Sequence, residues 1–189
     1  MDIIRTSLEG VFVLEPRKFE DPRGFFCETW HRGKFADAGI DIDFVQENQS
    51  YSRHRGTVRG LHCQLTPRAQ AKLVRVTRGE IFDVAVDIRR GSPNFGKWAG
   101  ATLSAQNMRQ LFIPAGFLHG FVTRQPDTEV VYKCSDFYAP EFERSVRFDD
   151  ADLGVDWGID AGAAILSDKD AKAARLRDLP ELSHCEVAL

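Results

Sequence analysis

Between residues 44 and 135 the chain is a succession of short β-prone runs, with no long helical pattern between them. The runs are rich in β-branched and aromatic residues and are bounded by turn-forming residues, as strands of a sandwich or barrel are. Parallel strands need a long crossover between them, usually a helix, so the pattern argues against a parallel sheet. The predicted strands are 44–49, 57–65, 72–77, 80–88, 98–103, 109–113, 116–123 and 129–135. We therefore expect an all-β antiparallel fold, a jelly-roll β-barrel or sandwich.

Shorter elements are predicted around this core. Residues 11–16 and 25–30 are extended runs, with an Asp-Pro-Arg-Gly turn at 21–24 between them. Residues 34–39 predict a short helix closed by a glycine, and 168–176 a short peripheral helix on the barrel's flank. Arg78-Gly79 predicts a hairpin turn, and the alternation in 80–87 predicts that its charged side chains face outward. Residues 1–189 are expected to form a single domain, with 155–189 as a flanking C-terminal segment.

The composition excludes several classes of protein. Hydrophobic residues make up 43% of the chain and charged residues 28%, which is the range of globular domains. The net charge of −3 argues against nucleic-acid binding, so any anion site must be a local cluster of arginine and lysine.

The spacing of the cysteines and the hydropathy of the sequence indicate the cellular compartment. Cys27, Cys63, Cys134 and Cys185 are widely spaced, so zinc ribbons and Cys-x-x-Cys redox pairs are not supported. The N-terminus has no signal-peptide pattern, and no apolar run reaches about 18 residues. We expect a cytoplasmic protein that does not cross a membrane.

Two histidine-containing segments contain the main candidate catalytic residues. The first is Arg59-Gly60-Leu61-His62-Cys63-Gln64, followed by Lys72, and the second runs from Pro114 to Phe121 and contains His119. Cations placed together inside an apolar barrel are costly unless an acid or an anionic ligand offsets their charge. The pattern therefore suits a site that removes a proton beside a carbonyl group and holds a negatively charged substrate.

The Pro-x-Gly-x-x-His pattern that ends at His119 resembles the second half-motif of the cupin superfamily. The first cupin half-motif supplies His-x-His and a glutamate, which complete a set of metal ligands. Here His62 is followed by Cys63 and Gln64, and Lys72 is a poor ligand for a divalent cation. We expect a cupin-type jelly roll with no metal and no cofactor.

Several segments together resemble a metal-free branch of the cupins, the dTDP-4-dehydrorhamnose 3,5-epimerase family. They keep the family's order and spacing from about residue 9 to residue 170. The segments are DPRGFFCE (21–28), FVQENQS (44–50), VRGLHCQ (58–64), IPAGFLHGF (113–121), VYKC (131–134), YAPE (138–141) and LSDKD (166–170). The resemblance implies epimerisation at C3 and C5 of a dTDP-linked 4-keto-6-deoxyhexose through an enolate.

The resemblance also implies roles for individual residues. His62 is the expected general base, because a neutral histidine has a pKa close to working pH. Its carboxylate partner is Asp170, although Asp168 lies only two residues away. Lys72 is expected to offset the negative charge on the C4 oxygen, and Tyr132 to deliver a proton from the opposite face. His119 is expected to contribute a hydrogen bond or electrostatic stabilisation and not to act as a second base.

The expected substrate-binding residues come from several parts of the chain. Arg59 is the first candidate for the diphosphate, because a guanidinium pairs bidentately with phosphate. Further positions that match the family are Arg23, Phe26, Glu28, Gln46, Asn48, Tyr138, Glu143 and Lys169. In the family the first three of these reach across from the other subunit. We therefore expect a homodimer with strand exchange, to whose interface the strands of residues 1–50 contribute.

Other interpretations of the same residues remain open. The enzyme could epimerise only C3 or only C5, or it could act on another nucleotide-linked 4-keto sugar. A metal-dependent cupin enzyme and a non-catalytic nucleotide-sugar-binding cupin belong to different classes. His62 taken alone could also be a buried structural histidine, and Asp168–Asp170 could simply begin a helix that Ser167 caps.

Overall fold

The computed structural model describes residues 1–179, which build two antiparallel sheets and a separate hairpin. The strands are β1 (Asp2–Arg5), β2 (Phe12–Glu15), β3 (Lys18–Asp21), β4 (Gly24–Cys27), β5 (Gln46–Ser52), β6 (Val58–Gln64), β7 (Lys72–Arg78), β8 (Glu80–Asp87), β9 (Trp98–Ser104), β10 (Gln110–Ile113), β11 (Phe117–Thr123), β12 (Thr128–Cys134) and β13 (Glu143–Ser145). The α-helices are α1 (Arg32–Asp37) and α2 (Asp168–Ala171), and 3-10 turns occupy Pro140–Phe142, Ala161–Ala163 and Leu176–Asp178.

The order of the strands is that of a jelly roll. One sheet has six strands in the order β1-β2-β10-β7-β12-β5, and the other has five in the order β13-β6-β11-β8-β9. Among the strands of the described residues, β3 and β4 pair only with each other. The prediction of an all-β jelly roll with short peripheral helices is confirmed, and the predicted core strands are present with ends shifted by up to three residues.

Side chains alternate between the two faces of each sheet, as the two-residue period of a strand requires. In β11, Phe117 and Phe121 pack into the interior between the sheets, whereas Leu118 and Val122 pack on the outer face. On the outer face of the five-stranded sheet lies the C-terminal part of the described chain, including Trp157. Helix α1 and the residues that follow it cover the six-stranded sheet.

Two predictions of local structure are wrong. Arg78-Gly79 is not a hairpin turn, because β7 and β8 belong to different sheets and the turn carries the chain from one to the other. Residues 168–176 form only the single turn α2. The chain then leaves the helical path because Ala174 forms a parallel bridge with Val146, and its carbonyl accepts a hydrogen bond of 2.9 Å from the Arg147 amide.

Two glycines allow β6 and β11 to approach closely beside His62. A Cβ atom on Gly60 would lie 2.6 Å from both the Gly120 Cα and the His119 carbonyl oxygen. Gly60 also has φ of +114°, a conformation that residues with a side chain rarely adopt. This contact brings His62 directly opposite His119 in the pairing of the two strands. None of the helices within residues 1–179 is long and apolar enough to cross a membrane.

The close contact of β6 and β11 predicts a large cost for Gly60→Ala. We expect its free energy of unfolding to fall by about 3 kcal/mol, as both backbone strain and displacement of β11 contribute. Urea denaturation measures the change. Gly39→Ala is the control, because Gly39 has φ of +86° but no atom within 4 Å of an added Cβ. It should lose only about 1 kcal/mol, and equal losses in the two variants would contradict the steric argument.

Candidate active site

A cavity of about 370 Å³ opens between the two sheets and brings together the main catalytic candidates. His62 on β6 and His119 on β11 come from the five-stranded sheet. Lys72 on β7 and Tyr132 on β12 come from the six-stranded sheet. A second cavity of about 100 Å³ adjoins the first and shares His62, Lys72 and Tyr132. A ligand between the sheets therefore meets histidines on one side and a lysine and a tyrosine on the other.

His62 forms a short hydrogen bond to a carboxylate from the C-terminal segment. Its Nε2 lies 2.5 Å from Asp170 Oδ1, and the Asp170 side chain is only 5% exposed. Burial alone would raise the pKa of Asp170, but the His62 ring and the Ser167 hydroxyl outweigh it, so this pKa lies below its ordinary value. Asp168, the alternative partner, is exposed. The predicted pairing of His62 with Asp170 is therefore present.

A second histidine–carboxylate pair lies deeper in the barrel. His119 Nε2 is 2.7 Å from Asp83 Oδ1, and both side chains are buried. Burial lowers the pKa of His119 and outweighs the opposing effect of Asp83, while Lys72 and His62 lower it further. His119 is therefore neutral near pH 7, and it is held by the buried side chain of Asp83.

Asp83 was missed by the sequence analysis, which expected the charged residues of 80–87 to face outward. Asp83 and Asp87 are both fully buried. Asp87 binds Arg89 and Ser92, with Oδ2 at 2.7 Å from each. The alternation itself contains the missing signal, because Asp83 lies between Ile81 and Ala85, which pack in the interior on the same face of the strand.

Lys72 and Tyr132 have pKa values shifted in opposite directions by the same cause. Burial lowers the pKa of Lys72, and the negative groups near it, including Glu143 and Asp83, only partly oppose this. Burial raises the pKa of Tyr132, while the Asn48 side chain and the charge of Arg59 act the other way. Tyr132 is thus protonated near neutral pH and able to donate a proton.

Arg59 lines the larger cavity, where other groups of the chain hold its guanidinium. Its Nε donates to Ser52 Oγ at 3.2 Å, and an Nη atom donates to the Tyr51 carbonyl at 2.9 Å. Both partners are neutral, so the arginine keeps a positive charge that an anionic ligand can bind.

The smaller cavity collects most of the remaining binding candidates. Gln46, Asn48, Tyr138 and Glu143 line it, and the amide of Gln46 donates to Asn48 at 3.1 Å. Glu143 Oε2 accepts from the Tyr138 hydroxyl at 2.9 Å and pairs with Lys169 Nζ at 2.6 Å. Burial would raise the pKa of Glu143, but these two donors outweigh it and keep the group ionised.

Three predicted binding residues do not join the site within this chain. Arg23, Phe26 and Glu28 line neither cavity. Arg23 pairs with Asp21 at 2.6 Å, Glu28 pairs with Lys34 at 2.6 Å, and Phe26 is 69% exposed. All three lie on or just after the hairpin β3–β4, which no other strand within residues 1–179 extends.

Two histidines with carboxylate partners, a partly buried lysine and a tyrosine, all of which line one jelly-roll cavity, define an acid–base enzyme of the cupin class. No group of three or more metal-binding side chains is found within residues 1–179. Cys185, one of the cysteines considered above, lies outside the described residues.

Comparison with known proteins identifies the family. A model of the dTDP-4-dehydrorhamnose 3,5-epimerase family matches residues 5–178. The chain is 49% identical to the Pseudomonas aeruginosa dTDP-4-dehydrorhamnose 3,5-epimerase, over 94% of this chain and 97% of that protein. It is 55% identical to the Neisseria gonorrhoeae protein of the same name over 90% of this chain, which spans 51% of that longer protein.

A solved structure agrees with these sequence matches. The dTDP-6-deoxy-D-glucose-3,5-epimerase of Legionella pneumophila, crystallised with dTDP-4-keto-L-rhamnose, superimposes with a TM-score of 0.92. It is 43% identical, and the match covers 100% of this chain and 98% of that one. The chain belongs to the dTDP-4-dehydrorhamnose 3,5-epimerase family. It is an isomerase, and its reaction is 3,5-epimerisation of a nucleotide-linked 4-keto sugar.

The buried ammonium of Lys72 predicts a conflict between stability and activity. Burial makes the pKa of Lys72 lower in the folded chain than in the unfolded chain. The free energy of unfolding therefore rises as the pH increases from the folded-state pKa to the unfolded-state pKa. Lys72→Met should abolish turnover yet raise the free energy of unfolding by about 1 kcal/mol at pH 7. This gain should shrink as the pH approaches about 10.4, the ordinary pKa of lysine.

Denaturation at several pH values measures this difference. The matched control is Lys97→Met, because Lys97 is an exposed lysine. Its effect should stay within about 0.5 kcal/mol at every pH. A Lys72→Met variant that is less stable than the wild type at pH 7 would contradict the assigned cost of the buried ammonium.

Proposed function

We propose that the chain converts dTDP-4-keto-6-deoxyglucose to dTDP-4-keto-rhamnose, with His62 as the base and Tyr132 as the acid. This assignment rests on one observation: His62 and Tyr132 line the same cavity and come from opposite sheets. Inversion at carbon requires that the proton leave from one face and return to the other. Side chains that project from facing sheets meet this requirement, whereas two groups on one sheet would not.

The first step is removal of the proton from the carbon beside the ketone. Asp170 engages Nε2 of His62, so Nδ1 takes the proton and Asp170 stabilises the imidazolium that results. The electron pair of the broken C–H bond moves into the ring, and negative charge develops on the C4 oxygen. Lys72 offsets that charge in a site where burial strengthens the electrostatic attraction.

The second step returns a proton to the same carbon from the other side. The Tyr132 hydroxyl donates its proton to the opposite face and becomes a phenolate for a short time. His62 and Tyr132 then exchange protons with solvent, which restores the starting state before the second carbon reacts. His119 stays neutral beside Asp83 and contributes a hydrogen bond and not a second base.

The nucleotide part of the substrate requires a separate set of groups. We place the diphosphate on Arg59 and the remaining polar contacts on Gln46, Asn48, Tyr138 and Glu143. Lys169 belongs to the same set, because it pairs with Glu143 at 2.6 Å. We also place the reaction in the cytoplasm. This placement is supported by the described cysteines Cys27, Cys63 and Cys134, which form no disulfide.

We further propose a homodimer in which hairpin β3–β4 of one copy lies over the cavity of the other. Phe19, Phe25 and Phe26 on this hairpin are 50%, 56% and 69% exposed, and such an apolar surface is typical of an interface. Arg23 and Glu28 would then complete the partner's nucleotide site. Strand β1, exposed at the edge of the six-stranded sheet, is the strand available for exchange.

Hydrogen exchange in deuterated water tests the roles of His62 and Tyr132 separately. With dTDP-4-keto-6-deoxyglucose, NMR should show deuterium entering at both C3 and C5 for the wild type. His62→Asn should lose exchange at both carbons. Tyr132→Phe should still exchange, because the base remains, but it should not invert either centre.

The control is Tyr51→Phe, because Tyr51 is an exposed tyrosine whose hydroxyl binds Asp127. It should exchange and invert as the wild type does. Inversion by Tyr132→Phe at the wild-type rate would contradict the acid assignment. Wild-type exchange at one carbon only would identify a single-centre epimerase.

Mixed dimers test the cross-subunit site. A heterodimer with His62→Asn in one subunit and Arg23→Ala in the other contains one intact site if Arg23 serves the partner, and the second site carries both changes. We expect about half of the wild-type turnover. If Arg23 serves its own chain, each site carries one change, and activity will not exceed the mean of the two single variants.

A further inference from the structure

The Ser167 hydroxyl contacts the carboxylate of Asp170 on the side away from His62. Ser167 Oγ donates to Asp170 Oδ2 at 2.9 Å, while Asp170 Oδ1 faces His62 Nε2 at 2.5 Å. Ser167 Oγ also accepts a hydrogen bond from the Asp170 amide at 3.1 Å, as the N-cap of α2. Each oxygen of the carboxylate thus has its own partner, and one hydroxyl fixes both the backbone and the side chain of Asp170.

The backbone before Ser167 is itself attached to the strand that carries His62. The Ile165 amide donates to the Gly56 carbonyl at 2.9 Å, and the Val58 amide donates to the Ile165 carbonyl at 2.9 Å. Leu166 packs against the apolar cluster on the outer face of the five-stranded sheet. The hydroxyl is therefore held in a defined position relative to β6.

Capping α2 does not account for all of this geometry. An N-cap needs only an acceptor for a backbone amide, and that is supplied by the bond from the Asp170 amide. The bond from Ser167 Oγ to Asp170 Oδ2 is an additional, charge-assisted contact. A hydroxyl has a single donor hydrogen, and this contact uses it, so Ser167 is poorly suited to donate to substrate as well.

We propose that Ser167 is a positioning residue for the reaction, acting on His62 through Asp170. This inference rests on the proposed role of His62 as the base. The hydroxyl holds the plane of the carboxylate and draws negative charge toward Oδ2. Without it the carboxylate can rotate, and its charge concentrates on Oδ1, which holds a proton on the imidazole more tightly.

Two substitutions distinguish the effect of the hydroxyl on the Asp170 carboxylate from its effect as the cap of α2. Ser167→Gly removes the donor but costs little at an N-cap, whereas Ser167→Thr keeps both functions. We expect kcat of Ser167→Gly to fall about tenfold, which corresponds to about 1.4 kcal/mol, near the range for one hydrogen bond to a charged group. KM should not change, and the acid limb of the pH–kcat profile should move to higher pH. Ser167→Thr should keep kcat within about threefold of the wild type.

Other results would overturn this inference. A rise in KM with unchanged kcat would show that Ser167 contacts substrate directly. Equal losses in the Gly and Thr variants would show that the hydroxyl is not the cause. An unshifted acid limb would contradict the effect on the His62–Asp170 pair.

An NMR measurement without substrate separates this inference from the proposed function. The proton shared by His62 and Asp170 is followed in the resting protein, and its resonance should shift in Ser167→Gly but not in Ser167→Thr. A wild type that exchanges neither C3 nor C5 would contradict the proposed function, and the catalytic part of this inference with it. An unchanged resonance in Ser167→Gly would contradict the positioning role even if the wild type is fully active.

Discussion

The hydrogen bond between His62 and Asp170 joins two parts of the chain that are 108 residues apart, and the proposed catalytic arrangement depends on it. Asp170 reaches His62 only because the C-terminal segment packs on the outer face of the five-stranded sheet and then turns inward. Ile165 and Leu166 attach this segment to β6 and its apolar cluster. Through this packing the segment brings a carboxylate to His62, the proposed base.

The remaining ionisable groups of the site surround a histidine and a lysine that line one cavity of the barrel. Burial disfavours a positive charge on Lys72, and His62 and His119 line the same cavity. Asp83, Glu143 and Asp170 supply the compensating carboxylates, and each of these has a defined hydrogen-bond partner. We expect this arrangement to lower the stability of the fold, and in the proposed mechanism it stabilises the enolate electrostatically.

Much of the fold follows from the sequence because strands have a two-residue period and turns have characteristic residues. Local patterns do not report which sheet a strand joins, so the corner at Arg78-Gly79 resembled a hairpin. The bridge from Ala174 to Val146 likewise depends on packing far along the chain. Asp83 resembled a surface residue because it is charged, although it alternates in phase with Ile81 and Ala85; its partner His119 lies 36 residues away. The residues of the site itself were found through motifs, since spacing alone does not bring Asp170 to His62.

A crystal structure of the protein with a dTDP-linked 4-keto sugar tests the central claim most directly. The account predicts that the carbon beside the ketone lies about 3–3.5 Å from His62 Nδ1, a distance suited to proton transfer. It also predicts the Tyr132 hydroxyl on the opposite face of the sugar ring and the Lys72 ammonium beside the C4 oxygen. A sugar with His62 and Tyr132 on the same face of its ring, or with His62 in contact only with the nucleotide, would contradict it.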